Sequence, residues 1–160
     1  DRDGNPTPLS RFERVVRINL IGTYNVMSQC AARMAINAPE DGEERGVIVN
    51  TSSGAAFEGQ IGQPAYASSK NGVIGLNLPT ARELGRYGIR VNAIAPGLFL
   101  TPMAESLGEA VVASLTERIE SPKRLGRPAE FAHCCRFLVE NAYVNGETIR
   151  LDAATRLTAR

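Results

Sequence analysis

The segment VIVNTSS at residues 47–53 decides the fold of this chain. Its β-branched residues form too uniform an apolar run for a strand with one wet face, so they predict a strand of a parallel sheet that is covered on both faces. The segment IRVNAIAPG at 89–97 predicts a second buried strand, ended by its Pro-Gly pair, and GETIRLD at 146–152 predicts a third.

The segments between these strands have helical patterns. Within one of them lies Pro79, and the helix is expected to bend there rather than end, because the residue four positions earlier is a glycine that leaves room for the ring. Apolar residues at spacings of three and four predict helices over about 10–37, 64–87, 102–119 and 128–141.

Alternating helices and strands are typical of an α/β fold with a parallel sheet. Three strands are too few for such a sheet, and no glycine-rich phosphate loop occurs in the chain. We therefore expect residues 1–160 to be a single, incomplete domain: the C-terminal portion of a doubly wound, Rossmann-type fold. The missing N-terminal strands and the glycine-rich loop are expected to precede Asp1.

Composition excludes several classes of function. The chain of 160 residues has a formal net charge of +1 with both signs mixed along it, so the sequence predicts no nucleic-acid partner. No apolar run approaches the roughly 20 residues that span a bilayer, so no membrane partner is expected either. The three cysteines lack the spacing of metal ligands, and we predict buried free thiols, no metal site and a reducing compartment.

The segment YASSK at 66–70 places a phenol and an amine on one helical face, because residues four apart lie one above the other. An adjacent ammonium stabilises the phenolate form of a tyrosine, which makes Tyr66 a candidate proton acceptor beside Lys70. Alternatively, the pair is a surface contact of no chemical consequence. Ser53 favours the first interpretation, because it leaves a strand at the carboxyl edge, where ligands of open α/β sheets bind.

Several spaced motifs together resemble the short-chain dehydrogenase/reductases. These motifs are the NTSS strand end, a serine thirteen residues before Y-x-x-x-K, the segment RVNAIAPG, and a threonine four residues after its glycine. Longer stretches such as AAFEGQIGQPAY, IAPGLFLTPM and NGETIRLDAATRL are similar to one subgroup, the type 2 3-hydroxyacyl-CoA dehydrogenases.

The subgroup resemblance implies an NAD-dependent oxidoreductase that acts on the 3-hydroxyl group of an acyl-CoA thioester, in fatty acid metabolism. The alternatives are another secondary alcohol or ketone, such as a hydroxysteroid or a 3-oxoacyl carrier protein, or a non-catalytic fragment that binds no cofactor. The resemblance also implies a homo-oligomer, usually a tetramer. It implies a cytoplasmic location, or a mitochondrial one if a transit peptide precedes Asp1.

The resemblance also implies roles for single residues. Tyr66 takes the hydroxyl proton while hydride passes to the nicotinamide, and Ser53 hydrogen-bonds the substrate oxygen. Lys70 holds the nicotinamide ribose, and Asn19 positions a water molecule of a proton relay. The residues that match the loop packed on the nicotinamide are Pro96, Gly97, Phe99 and Thr101.

Some of these residues have a structural alternative. Asn19 could be a polar residue within a helix, Phe99 a core or lid residue, and Thr101 the cap of the next helix. The chain departs from the subgroup at Asn71 and Ala153, where glycine is usual. We expect the first to shift the helix slightly. We expect the second to add a methyl group to the C-terminal tail, which should pack near the substrate pocket and the subunit interface.

Overall fold

A computed structural model describes residues 3–106 and 108–159 of the chain. Its sheet has three parallel strands, β1 (Gly46–Thr51), β2 (Ile89–Pro96) and β3 (Thr148–Leu151), in the order β1-β2-β3. The predicted α/β class and all three predicted strands are therefore confirmed. Since the strands are parallel, their carboxyl ends meet at one edge of the sheet.

Helices cover both faces of this sheet. The predicted first helix runs without a break from Leu9 but contains one π-helical turn, Arg17–Ile21. The stretch predicted as one helix over 102–119 is two helices, and this correction has a cause: Gly108 has a φ of +86°, which no α-helix tolerates. The helices are α1 (Leu9–Val16), α2 (Gly22–Met34), α3 (Pro64–Gly85, with Pro79 inside it), α4 (Pro102–Glu105), α5 (Glu109–Glu117) and α6 (Pro128–Glu140).

The core consists of two apolar layers, one on each side of β2. On one side, Ile48 and Val91 of the sheet pack with Met27 of α2 and with α3. On the other side, Ile94 packs with Leu138 of α6. Strand β2 is buried from Ile89 to Ala95, whereas β3 is only half-buried, so the prediction of a strand covered on both faces holds best for the middle strand.

Buried asparagine side chains connect the strands to α3 and to the segment that follows α6. Asn50 donates a hydrogen bond to Asn77 Oδ1 at 3.2 Å, and Asn77 donates to Thr148 Oγ1 at 3.0 Å, so the chain of amides crosses from β1 through α3 to β3. Asn92 donates to the Val144 carbonyl at 2.9 Å. Asn50 and Asn92 are therefore structural residues of the sheet.

The cysteines are free but do not all lie in the core. Cys134 is buried and Cys135 is half-buried, whereas Cys30 is exposed on α2. The prediction of a buried thiol was wrong at Cys30, because the residue faces away from the sheet on its helix. Within the described ranges, no helix combines the length and the hydropathy that a bilayer crossing requires.

The C-terminal tail after β3 turns through two left-handed residues. Ala153 has a φ of +50° and Ala154 a φ of +58°, a region in which a Cβ atom is crowded by its own backbone. Glycine adopts this conformation without that penalty. The departure at Ala153 therefore strains the backbone in addition to adding a methyl group.

We expect Ala153→Gly to raise the free energy of unfolding by about 1 kcal/mol, because it removes the left-handed penalty at that residue. The matched control is Ala132→Gly in the interior of α6, which should lower the same quantity by about 1 kcal/mol through lost helix propensity. Urea denaturation measures both. Equal destabilisation by the two substitutions would contradict the backbone explanation.

Candidate active site

The strand ends form a crevice that contains Ser53. Thr51 pairs with Ile94 in the register of β1 and β2, and the Ser52 amide donates to the Ile94 carbonyl at 2.7 Å, so the two strands end side by side. A small cavity of about 60 Å³ opens there beside Ser53. It is lined by Ser53, Gly54, Ala55 and Glu58 from the first strand end, by Pro96, Gly97 and Leu98 from the second, and by Arg150, Asp152, Thr155 and Leu157.

The two adjacent serines have different surroundings. Ser52 is buried, and its hydroxyl donates to the Lys70 carbonyl at 2.8 Å, which occupies it in a structural contact. Ser53 is half-buried in the crevice, and its Oγ accepts the Ala55 amide at 3.1 Å, which begins the short turn Gly54–Ala56. Of the two serines, only Ser53 is among the residues that line the cavity.

Tyr66 and Lys70 lie in the first two turns of α3, which begins with Pro64 at a position where proline costs no hydrogen bond. The Lys70 Nζ atom lies 6.0 Å from the centroid of the Tyr66 ring, within the range of a cation–π contact. The Tyr66 side chain is 37% exposed, so a molecule in solution can reach its ring.

Lys70 is tied to the end of β1. Its Nζ donates to the Thr51 carbonyl at 3.0 Å, and its own carbonyl accepts the Ser52 hydroxyl. Burial of the ammonium lowers the pKa of Lys70, because desolvation disfavours the charged form. The structure therefore joins Lys70, one turn after Tyr66, to the strand that leads directly to Ser53.

Asn19 reaches the same helix from α1–α2. Its Nδ2 donates to Ser69 Oγ at 3.1 Å, and Ser69 donates in turn to the Tyr66 carbonyl at 2.7 Å. The Asn19 carbonyl accepts the Thr23 hydroxyl at 2.7 Å, within the π-helical turn. Such turns frequently occur at functional sites. Asn19 is thus more than an isolated polar residue within a helix.

The remaining residues predicted for the cofactor loop divide into two groups. Pro96 and Gly97 line the crevice with Ser53, but Phe99 packs edge-on against Phe131, with centroids 6.0 Å apart, and borders a separate cavity. Thr101 Oγ accepts the Ala104 amide at 3.3 Å and caps α4, the structural alternative that the sequence offered.

Sequence reasoning placed the C-terminal tail near the substrate pocket but did not single out Thr155 and Leu157, which line the crevice. The available signal was topological, since β3 is parallel to β2 and the residues that follow it must emerge at the same edge. It also missed Asn71, whose Nδ2 donates to the Ala56 carbonyl at 3.1 Å and so links α3 to the turn after Ser53. Among the described residues, no group of three or more His, Cys, Asp or Glu side chains is arranged to hold a metal ion.

Comparison with known proteins identifies the family. The family described as short chain dehydrogenase matches residues 5–111. The human protein named 3-hydroxyacyl-CoA dehydrogenase type-2 is 51% identical over 156 residues, which are 98% of this chain and 60% of that protein. The chain belongs to the short-chain dehydrogenase family, as its motifs predicted.

Solved structures agree with this assignment. The crystal structure of 3-hydroxyacyl-CoA dehydrogenase type-2 from Mycobacterium avium has a TM-score of 0.95 and 48% identity, and the match covers 100% of this chain and 61% of that one. A 3-oxoacyl-[acyl-carrier protein] reductase with bound NAD from Brucella melitensis has a TM-score of 0.78 and 34% identity, over 95% of this chain and 54% of that one. The fold is therefore of the Rossmann type, and the chain spans less than two thirds of the length of these relatives.

We expect Lys70 to titrate at a lower pH than an ordinary lysine side chain, because its ammonium is desolvated. Reductive methylation with ¹³C-labelled formaldehyde, followed by NMR, reports the titration, and the spectrum is simple because Lys123 is the only other lysine. The variant Lys70→Arg identifies the signal by its loss. A Lys70 signal that titrates at or above the ordinary lysine value would contradict the environment described.

Proposed function

We propose that this protein is an NAD-dependent dehydrogenase that oxidises the 3-hydroxyl group of an acyl-CoA thioester. The observation that carries the proposal is that Lys70, one turn after Tyr66 in α3, is hydrogen-bonded to the end of the strand that leads to Ser53. The printed names of the human and mycobacterial relatives support the choice of 3-hydroxyacyl-CoA as substrate.

In this proposal Tyr66 accepts the proton of the substrate hydroxyl. Its exposure allows the substrate to approach, and the Lys70 ammonium lies 6.0 Å from the centroid of its ring. Ser53 holds the substrate oxygen by a hydrogen bond. Asn19 acts as a relay residue, and its hydrogen-bonded connection through Ser69 to the Tyr66 carbonyl supports that role.

The residues at the Lys70 end of the site fit a nicotinamide nucleotide. An ammonium has three N–H donors, and the one hydrogen bond found for Lys70 in the described part of the chain, to Thr51, leaves two for ribose hydroxyls. When bound, NAD supplies the acceptor for the hydride that leaves the alcohol carbon. Pro96 and Gly97 would line its nicotinamide end, while Phe99 and Thr101 continue the same loop, where Phe99 borders another cavity and Thr101 caps α4. The bound NAD of the Brucella reductase supports NAD as the nucleotide.

The choice of substrate is tested by comparing rates on acetoacetyl-CoA and on a steroid alcohol. The proposal requires the acyl-CoA to be turned over with the higher kcat/KM. The measurement is made on the complete product of the gene as well as on residues 1–160, which we propose to be the catalytic portion of one domain. A preference for the steroid would favour the hydroxysteroid alternative.

We expect Tyr66→Phe to lower kcat/KM by roughly 10²–10⁴-fold, the usual contribution of a positioned general base, with little change in NADH affinity. Steady-state kinetics and an NADH fluorescence titration measure the two quantities. The matched control is Tyr143→Phe, because Tyr143 is fully exposed and removal of its hydroxyl should leave both quantities unchanged. A kcat/KM of Tyr66→Phe close to that of the wild-type protein would disprove the role of Tyr66 as proton acceptor.

We also propose that the chain forms a homo-oligomer, as a tetramer in the complete protein. The support is an apolar surface on α2 and α3: Tyr24 is 54% exposed, and it borders a groove of about 320 Å³ that also contains Met27, Ala31, Leu84 and Tyr87. A second copy of the same helices is a suitable occupant, because a two-fold contact sets one apolar face against its equal. A cytoplasmic location stays a prediction, and the free thiols are compatible with a reducing compartment.

Light scattering tests the oligomer directly. We expect a molar mass at least twice the 17.2 kDa of one chain, and Tyr24→Glu should lower it, because a carboxylate in the groove is costly to desolvate at an interface. Leu100→Glu places the same charge at an exposed position outside the groove and serves as the control. A well-behaved monomer at all concentrations would contradict this part of the proposal.

A further inference from the structure

One carboxylate connects three segments around the crevice. Glu58 lies in the loop between Ser53 and Tyr66, and its Oε1 accepts Arg150 Nη1, at the end of β3, at 2.8 Å. Its Oε2 accepts the Leu157 amide of the C-terminal tail at 2.9 Å. The loop that joins two residues of the proposed active site is therefore bound to β3 and to the tail through a single side chain.

Two arginines pair with this carboxylate: Arg150, and Arg156, whose Nε lies 3.3 Å from Glu58 Oε1. Arg150 is itself held in place. Arg150 Nε donates to Asp152 at 2.8 Å, and the guanidinium lies 4.8 Å from the centroid of the Phe57 ring. The side chains of Arg150 and Glu58 are 25% and 22% exposed, so this ion pair is screened less than a surface pair. The hydrogen bond from Arg150 lowers the pKa of Glu58, which keeps the carboxylate charged across the neutral range.

The loop and the tail also contact each other along their backbones. The Ile61 amide donates to the Ala159 carbonyl at 3.0 Å, and the Gln60 side chain donates to the Thr158 carbonyl at 3.2 Å. At the start of the tail the fit is close, since a Cβ atom at Gly97 would lie 2.8 Å from Asp152 Cβ. The tail is thus fixed at both ends against the elements that carry Ser53.

The tail forms one wall of the cavity beside Ser53. Thr155 is 4% exposed and lines this cavity together with Leu157 and residues of the two strand ends. A shift of the tail would change the space available to a substrate at Ser53. It would leave unchanged the bonds of Lys70 to Thr51 and Ser52, which do not involve the tail.

We propose that Glu58 is a positioning residue for the substrate: it fixes the tail that bounds the Ser53 crevice, and so sets the affinity for the alcohol without touching the reacting atoms. This inference rests on the proposed function in so far as Ser53 binds the substrate oxygen. It assigns the Glu58–Arg150 pair to the crevice beside Ser53, which Pro96 and Gly97 also line, and not to Lys70, which holds the ribose in the proposed function.

The test compares Glu58→Gln with Glu140→Gln. Glu58→Gln keeps the shape of the side chain and removes its charge, whereas Glu140→Gln removes an equivalent carboxylate from the exposed pair with Arg136 on α6. For Glu58→Gln we expect KM for the alcohol to rise about tenfold, and KM for NAD and kcat to change less than about twofold, as for lost positioning of one substrate. Glu140→Gln should change none of these quantities.

Hydrogen exchange supplies a readout that does not depend on activity. In Glu58→Gln the Leu157 and Ile61 amides should exchange faster, because the tail opens more often, while amides of β2 keep their protection. Glu58→Asp retains the charge on a shorter side chain. Its KM for the alcohol should lie between the values of Glu58→Gln and the wild type. Circular dichroism confirms that each variant is folded.

The outcomes separate this inference from the proposed function. Faster exchange with an unchanged KM for the alcohol would disprove positioning, and unchanged exchange would disprove attachment of the tail by Glu58. Equal losses for alcohol and NAD would indicate a merely structural role. If the wild-type protein turns over a different alcohol, the proposed substrate fails, but KM for that alcohol still decides the role of Glu58.

Discussion

The candidate site depends on two hydrogen bonds that connect one strand end to one helix in both directions. The Lys70 ammonium donates to the Thr51 carbonyl, and the Lys70 carbonyl accepts the Ser52 hydroxyl. Ser53 follows these strand residues, and Tyr66 lies one turn before Lys70. The two bonds therefore fix the strand end that carries Ser53 relative to the helix that carries Tyr66. The position of Lys70 costs free energy, because its ammonium is partly desolvated. The same position places the cation beside the Tyr66 ring.

Much of this arrangement could be predicted from the sequence, because it follows from local patterns and from topology. Uniform apolar runs identify buried parallel strands, and parallel strands end at one edge, so Ser53, Pro96 and Gly97 had to be neighbours. The spacing of Tyr66 and Lys70 places them on one helical face without knowledge of anything else. Resemblance to a family added the roles of these residues, which geometry does not supply.

Other features have no local signal. A π-helical turn at Asn19 differs from an α-helical one by a single hydrogen-bond step, and the residue pattern over Arg17–Ile21 is compatible with both. Exposure of Cys30 depends on which face of α2 the sheet covers. Glu58 and Arg150 are 92 residues apart, so the sequence shows two charges but not that they pair.

The strained residues of the C-terminal tail lie between the two contacts that attach the tail to the fold. Ala153 and Ala154 are held in a conformation that L-residues avoid, and such conformations persist only where surrounding contacts determine them. Those contacts are the close approach of Asp152 to Gly97 on one side and the bond from Leu157 to Glu58 on the other. If either were lost, the two alanines would gain by relaxing, and the tail would move away from Ser53. The strained turn therefore makes the width of the crevice sensitive to the side chains that hold the tail.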